Sequence, residues 1–403
     1  MSIVTKPIVL DETGKEIVDA LVGIKNAISS GAPAGDPVRI TVVTPPTKTH
    51  YAMSDTLDMS GITVSAIFSN NYMFDVTEQC TFSPASGSSF SEWGVVPITI
   101  SWTWHNTGQT FTTTQEVEVE PQIVSFSDGT DDEIETMLEA HYQDIIDVSD
   151  YWSVGDTRVM HINKSVVPDF DPDRLNWPGF GEGDITIAIV TMNHTTLETP
   201  INGHDKSAIT VQTRELLAQG MLFEFPVDGS SEKDMTFTKW ADLWMRKILQ
   251  YMVWPAFPEG TFKSLIKPSR HNRLVSNGVD PTTANTQDGS NTDRTIETVV
   301  DTLFLPSYTE VFGNVVDSSY LGGGTPNNDE GSQFEYYTVA ANRIKYINTA
   351  QATPSATAKD WWLGSPDSSY YTSGYSWRAV RASGESHAWP GTISACCAPA
   401  WAM

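Results

Sequence analysis

Residues 184–194 read "DITIAIVTMNH", with apolar side chains at Ile185, Ile187, Ala188, Ile189 and Val190. A short, continuous, largely β-branched run of this kind predicts a strand covered on both faces, hence a central one. Immediately upstream, "DYWSVGDTRVMHI" (150–162) predicts a second strand. Before it, "TDDEIETMLEAHYQDII" (130–146) opens with acids, which suit a helix N-terminus, and sets Ile134, Met137, Leu138, His141 and Ile145 on one face. His141 reads there as a residue at the edge of the core, not a ligand. Downstream, "FTKWADLWMRKILQYM" (237–252) predicts a second amphipathic helix, stopped by Pro255. The polar stretches 276–295 and 318–333 are loops of a length that in a compact domain usually carries function.

Toward the N-terminus the period changes. Val38, Ile40 and Val42, then Ile62, Val64 and Ala66, then Ile98, Ile100 and Trp102, then Val117 and Val119 alternate with polar residues, and turn-forming clusters separate them. Several short strands at such spacing predict a β-sandwich. Earlier still, Ile17, Leu21, Ile24 and Ile28 follow a 4-3-4 spacing on one helical seam, followed by the linker-like "SSGAPAGDP". A helix that short is marginal alone, so the seam needs partners.

The 403-residue chain carries 50 Asp and Glu against 24 Lys and Arg, a net charge of -26. No stripe of cations is available to neutralise phosphates, which argues against nucleic acid as a partner. Three cysteines, two of them adjacent, cannot build a disulfide framework. The opening residues lack a basic segment followed by an apolar run, and eighteen consecutive apolar residues occur nowhere. A chain made in a cytoplasm without membrane insertion is expected.

Chemistry-bearing motifs are sparse. Asp169, Asp171 and Asp173 begin like a calcium loop, but Arg174 stands where glycine is required and Phe180 where glutamate is. His194 and His204 lack close sequence partners for zinc. The paired carboxylates Asp131, Asp132, Glu133 and Glu135 are explained by a helix start. Neither a cofactor nor a metal site is expected.

Two resemblances add to this reading. "PTKTHYAMSDTLDMSGITVSAIFSNN", "DVT", "TFSPASG" and "PITISWTWHNTGQTFTTTQEVEV" together resemble the bacterial immunoglobulin-like domains of surface and phage proteins, which implies a spacer without chemistry. From residue 151, the ordered set "YWSVGDTRVMHI", "ITIAIVTMNH", "KSAITVQTRELL", "FTKWADLWMRKIL", "PAFPEGTFKSLIKP", "DTLFLPSYTEVFG" and "WWLGSP" resembles a C-type-lectin-like domain of gut phage and bacterial surface proteins. The variable proteins of diversity-generating retroelements fall in that group. The closing "CCAPAWAM" departs from its usual Arg-Pro-Ala ending, and none of the tripeptides of the Ca²⁺-dependent lectins occurs. The opening "TKPIVLDETGKEIVDALVGIKNAI" looks like the start of phage tail-associated proteins.

The resemblance implies a multidomain chain: residues 1–36 as a helical anchor or oligomerisation segment, 37–121 as an all-β immunoglobulin-like sandwich, and 122–403 as an α+β C-type-lectin-like domain. A variable binding region is implied at about 361–403. Retroelement rewriting of adenines in Asn codons reaches Ser, Tyr, Thr, Ala, Arg, Asp, His and Asn but not Trp or Glu. Residues 368–387 fit that restriction except at Trp377 and Glu385.

The expected ligand-binding residues are Ser368, Ser369, Tyr370, Tyr371, Thr372, Tyr375, Trp377, Arg378, Arg381, Ser383, Ser386, His387 and Trp389. Tyr and Trp offer rigid contact area, Ser and Thr adaptable hydrogen bonds, and Arg a fork for carboxylates. Trp361 and Trp362 are expected in the core.

The implied function is host attachment by a non-enzymatic phage tail-associated or virion-surface receptor-binding protein, a homo-oligomer with a trimer favoured. It would be made in the bacterial cytoplasm and bind a host-surface protein or glycan. Its N-terminal segment would join other virion or tail proteins. Two alternatives stay open: a structural capsid or tail decoration protein, and a thiol-dependent oxidase using Cys396.

Overall fold

In residues 94–104 Ile98, Ile100 and Trp102 turn inward while Thr99 and Thr103 turn out, which is the alternation a half-buried strand requires. A computed structural model describes residues 35–163, 182–222, 240–275, 295–313, 330–347, 358–366, 376–390 and 394–403. The helix expected in residues 11–30 lies outside them. The chain divides into two units, one up to Pro121 and one from Gln122 onward.

In the first unit, strand Gly94–Trp104 pairs antiparallel with Gln109–Glu120 in continuous register from Gly94↔Val119 to Trp104↔Gln109. Thr81–Ser83 joins one side of this pair, and His50–Ala52 the other in parallel. A second sheet orders Pro37–Thr44, Thr63–Phe68 and Met73–Asp75, all antiparallel. Ile40, Val64, Ala66 and Phe68 of one sheet share a single core with Ile98, Ile100, Trp102, Val117 and Val119 of the other. The unit is therefore two sheets packed face to face.

The second unit starts with a helix, Asp131–Tyr142, whose capping box is complete: the Thr130 hydroxyl accepts from the Glu133 N–H, and the Glu133 carboxylate accepts from the Thr130 N–H. Asp131 also pairs with Arg158. Ile134, Met137, Leu138 and His141 are buried as their spacing requires, but Ile145 is not on that face. The helix stops at Tyr142, Asp144 takes a left-handed φ of 59°, and the reversal buries Ile146 instead.

Strand Gly183–Met192 lies between Thr157–Ile162 and Ile209–Thr213 in an antiparallel sheet completed by Ala400–Ala402. Ile185, Ile187, Ala188, Ile189 and Val190 are all buried, so the strand is covered on both faces. Tyr142 ties the helix to this sheet, accepting from the Ala208 N–H at 2.8 Å and donating to the Met403 carbonyl at 3.0 Å.

A second sheet orders His204–Lys206, Thr196–Ile201, Ser269–Val275 and Thr295–Asp301. A third orders Leu217–Leu222, Ser394–Cys397, Trp361–Pro366, Ser376–Val380 and Ser386–Pro390, with Trp361–Pro366 parallel to Ser394–Cys397. The expected helix 237–252 is described from Trp240 and is interrupted: the 3-10 turn Trp240–Asp242 ends at an extended Leu243 with ψ 146°, and only then follow the α-turn Trp244–Ile248, a π-turn Leu249–Val253 and, past the expected end, a closing 3-10 turn Trp254–Ala256. Pro255 sits in the first positions of that last turn, where a missing N–H costs little.

The described chain is thus β-rich, multi-sheet and divided into units, with few helices. Among its described residues no helix is long and apolar enough to cross a membrane.

Candidate binding face

The C-terminal sheet is pinned from within. Trp361, Trp362 and Leu363 are fully buried. The Trp361 indole N–H donates to the Arg343 carbonyl at 3.0 Å, and its ring stacks on Tyr337. Ser365 Oγ accepts from the Tyr308 N–H and donates to the Glu330 carboxylate, each at 2.7 Å. On this base strand Ser376–Val380 pairs through Trp361↔Val380 and Trp362↔Ala379.

Strand Ser386–Pro390 forms the edge of the sheet and is joined to Ser376–Val380 by a tight turn. The Arg381 N–H donates to the Glu385 carbonyl and the Gly384 N–H to the Arg381 carbonyl, both at 2.8 Å. Gly384 sits at φ 84°, a left-handed position that favours glycine. Asp360 holds the turn from the neighbouring strand by accepting from the Ala382 N–H at 2.8 Å. Above it, Arg381 Nη2 lies 3.1 Å from His387 Nε2. A guanidinium only donates, so Nε2 is the acceptor and the imidazole proton is on Nδ1. The His387 and Trp389 rings meet edge-to-face at 4.4 Å between centroids.

Of the expected face residues, Arg381, His387 and Trp389 come together as a partly exposed group, flanked by exposed Ser383 and partly exposed Ser386. Ser368, Ser369, Tyr370, Tyr371, Thr372 and Tyr375 lie outside the described residues. Trp377 and Arg378 do not belong to an exposed face: they are 1% and 3% exposed. Their strand is covered on both sides, since Ala379 and Val380 are buried as well. The Arg378 guanidinium lies over the Tyr308 ring at 5.0 Å, a π-face that helps a cation leave water.

A second polar group has no counterpart among the sequence expectations. Ser269 Oγ lies 2.7 Å from His271 Nε2, His271 Nδ1 lies 4.0 Å from the Glu310 carboxylate, and Arg273 Nη1 lies 3.6 Å from the same carboxylate. The order imitates a nucleophile, base and acid. All four side chains are buried, however, and burial holds His271 well below the ordinary imidazole range. They form an internal polar tie without access for substrate. The alternate spacing 269, 271, 273 signals one strand face, but Glu310 is too distant in sequence to be paired with it.

His204 Nε2 lies 3.2 Å from Asp144, a carboxylate distant in sequence that the left-handed turn at Asp144 brings to it. His141 is buried against Tyr142 and His204, and burial lowers its affinity for a proton. Among the described residues no group of three or more His, Cys, Asp or Glu is placed to hold a metal ion. Asp169, Asp171 and Asp173 lie outside them. Thiol chemistry needs a depressed pKa, whereas burial pushes Cys396 up to about 12 and Cys397 higher still.

A sequence profile for a domain of unknown function (DUF6273) matches residues 198–397, a span that takes in the whole Ser376–Pro390 hairpin. No curated protein matches the chain.

Proposed function

We propose that this chain is a phage tail-associated or virion-surface receptor-binding protein. Its C-terminal domain, C-type-lectin-like in the sequence resemblance, presents the turn and edge strand of residues 381–389 to a host-surface protein or glycan. Residues 37–121 act as an immunoglobulin-like spacer, and residues 1–36 join the chain to other virion proteins and to copies of itself, with a trimer favoured. Several linked copies raise effective concentration without new contacts, so a modest affinity per face is enough.

One observation carries this reading: a recognition-type group, Arg381 in the turn with His387 and Trp389 on the edge strand, stands partly exposed beside a partner strand that is locked into the core. Rigid support under an adaptable polar and aromatic surface is what a site built for contact needs. Trp377, unreachable by adenine rewriting, is buried together with the reachable Arg378, Ala379 and Val380, so among the described residues a rewritten face would be confined to the turn and edge strand from Arg381 onward.

Two measurements test the reading. The DNA flanking the gene should contain a near-copy of codons 361–403 that differs almost only at adenines, beside a reverse transcriptase. In cell-adhesion assays with the full chain, the variant Arg381→Ala/His387→Ala/Trp389→Ala should fold and lose attachment. A folded triple variant that adheres as the parent does would overturn the assignment. Protein that binds virions but no cells would point to decoration instead.

A further inference from the structure

We infer that the group Arg381, His387 and Trp389 is a subsite for a carboxylate-bearing sugar; this inference rests on the receptor-binding reading and names its ligand class. Three observations lead to it. First, Arg381 forms no ion pair with a carboxylate among the described residues, although the chain carries 50 acidic side chains against 24 basic ones. A partly exposed guanidinium keeps a bidentate fork for a planar anion. Its one side-chain contact described, to His387 Nε2, uses a single N–H of five and fixes the plane of the group.

Second, the Trp389 side chain is only partly buried, so part of its ring is open to a ligand beside the guanidinium. Third, the Trp389 and His387 rings pack edge-to-face, which supplies a stiff aromatic surface next to the cation. An apolar ligand would leave the guanidinium unmet, and a cationic ligand would be repelled by Arg381. A sugar acid offers a carboxylate for the fork and a C–H face for the ring.

The group belongs to one short hairpin, so it arrives as a unit. Arg381 begins the turn, Gly384 closes it, and His387 and Trp389 lie two residues apart on one side of the following strand. Asp360 fastens the turn to the sheet by its bond to Ala382, which keeps the guanidinium and the rings in one relative position.

The test is calorimetric titration of the full chain with N-acetylneuraminic acid and with glucuronic acid, using glucose as the neutral control. Both acids, or one of them, should saturate the protein where glucose does not. Arg381→Gln should weaken that binding by about tenfold or more, and Trp389→Leu, which keeps apolar bulk and removes the flat ring, by a smaller factor of about three. Arg381→Lys should recover only part of the loss, because an ammonium lacks the fork. Thermal unfolding of each variant should match the parent.

Acids that fail to bind, or that bind Arg381→Gln as tightly as the parent, overturn the inference. The two levels separate cleanly. If the acids fail while the Arg381, His387 and Trp389 triple substitution still abolishes cell adhesion, only the ligand class falls. If adhesion ignores the triple substitution, the receptor-binding reading falls with it.

Discussion

Trp377 and Trp389 stand directly opposite each other across the Ser376–Pro390 hairpin, yet Trp377 is 1% exposed and Trp389 is only partly buried. One cross-strand step separates a core residue from a face residue, so stability and recognition should separate by substitution. Trp377→Ala is expected to cost about 3–5 kcal/mol, the usual loss for a large aromatic removed from a core. Trp389→Ala should cost about 1 kcal/mol or less and spare the fold. Calorimetric unfolding of both variants checks this, and equal losses would mean that the two rings share one environment.

Gly364 makes a close approach of a different kind. A Cβ built there would stand 2.7 Å from the Leu305 carbonyl oxygen and 3.2 Å from Arg273 Nε, while the Gly364 N–H donates to the Pro306 carbonyl at 2.8 Å. The nearest atom is backbone and cannot swing away. Gly364→Ala is therefore expected to destabilise the second unit by about 2–4 kcal/mol, within the range of overpacked or strained core positions. A variant with parental urea midpoint would show that strand Trp361–Pro366 can shift relative to Leu305.

How far these features could be read from the sequence depends on the range of the interactions that make them. Local patterns were legible: the acidic start of the helix Asp131–Tyr142, the doubly covered strand around Ile187 and the burial of Trp361 and Trp362. Where the expectation failed, a distant partner decided the outcome. Arg378 reads as a surface cation until Tyr308 is folded over it, and the grouping of Ser269, His271 and Arg273 with Glu310, for which no expectation existed, likewise depends on a residue from another element. Ile145 failed for a local reason, a left-handed Asp144 that only the backbone reveals.

The cysteines offer a direct test of the oxidase alternative. Cys396 is 4% exposed and Cys397 fully buried, whereas Cys80 is only partly buried, with burial raising it to about 11. A thiolate is the reactive form, so all three should alkylate slowly at pH 8 in the native protein, Cys80 first. Cys396 and Cys397 should label fully only in denaturant. Peptide mass spectrometry after a short iodoacetamide pulse reads the order, and rapid native labelling of Cys396 would restore thiol chemistry as a candidate.

Lys345 should give the second unit an unusual dependence on pH. The side chain is 2% exposed, with Nζ donating to the Thr213 carbonyl at 2.7 Å and lying 5.4 Å from the Trp361 ring centroid. Burial lowers it from 10.5 to about 7, with Arg214 adding to the shift and Glu215 opposing it. Below pH 7 both folded and unfolded chains carry the ammonium, and the folded chain bears the full cost of enclosing it. Between about pH 7 and 10.5 the folded amine is neutral while the unfolded one still holds its proton, so stability rises with pH. The limiting slope for one group is about 1.4 kcal/mol per pH unit. Lys345→Met should abolish this contribution and be more stable than the parent at pH 6, less about 1 kcal/mol for the lost donor to Thr213. Urea unfolding of parent and variant at pH 6, 7.5 and 9 measures both effects, and parallel profiles would show that Lys345 reaches solvent in the folded state.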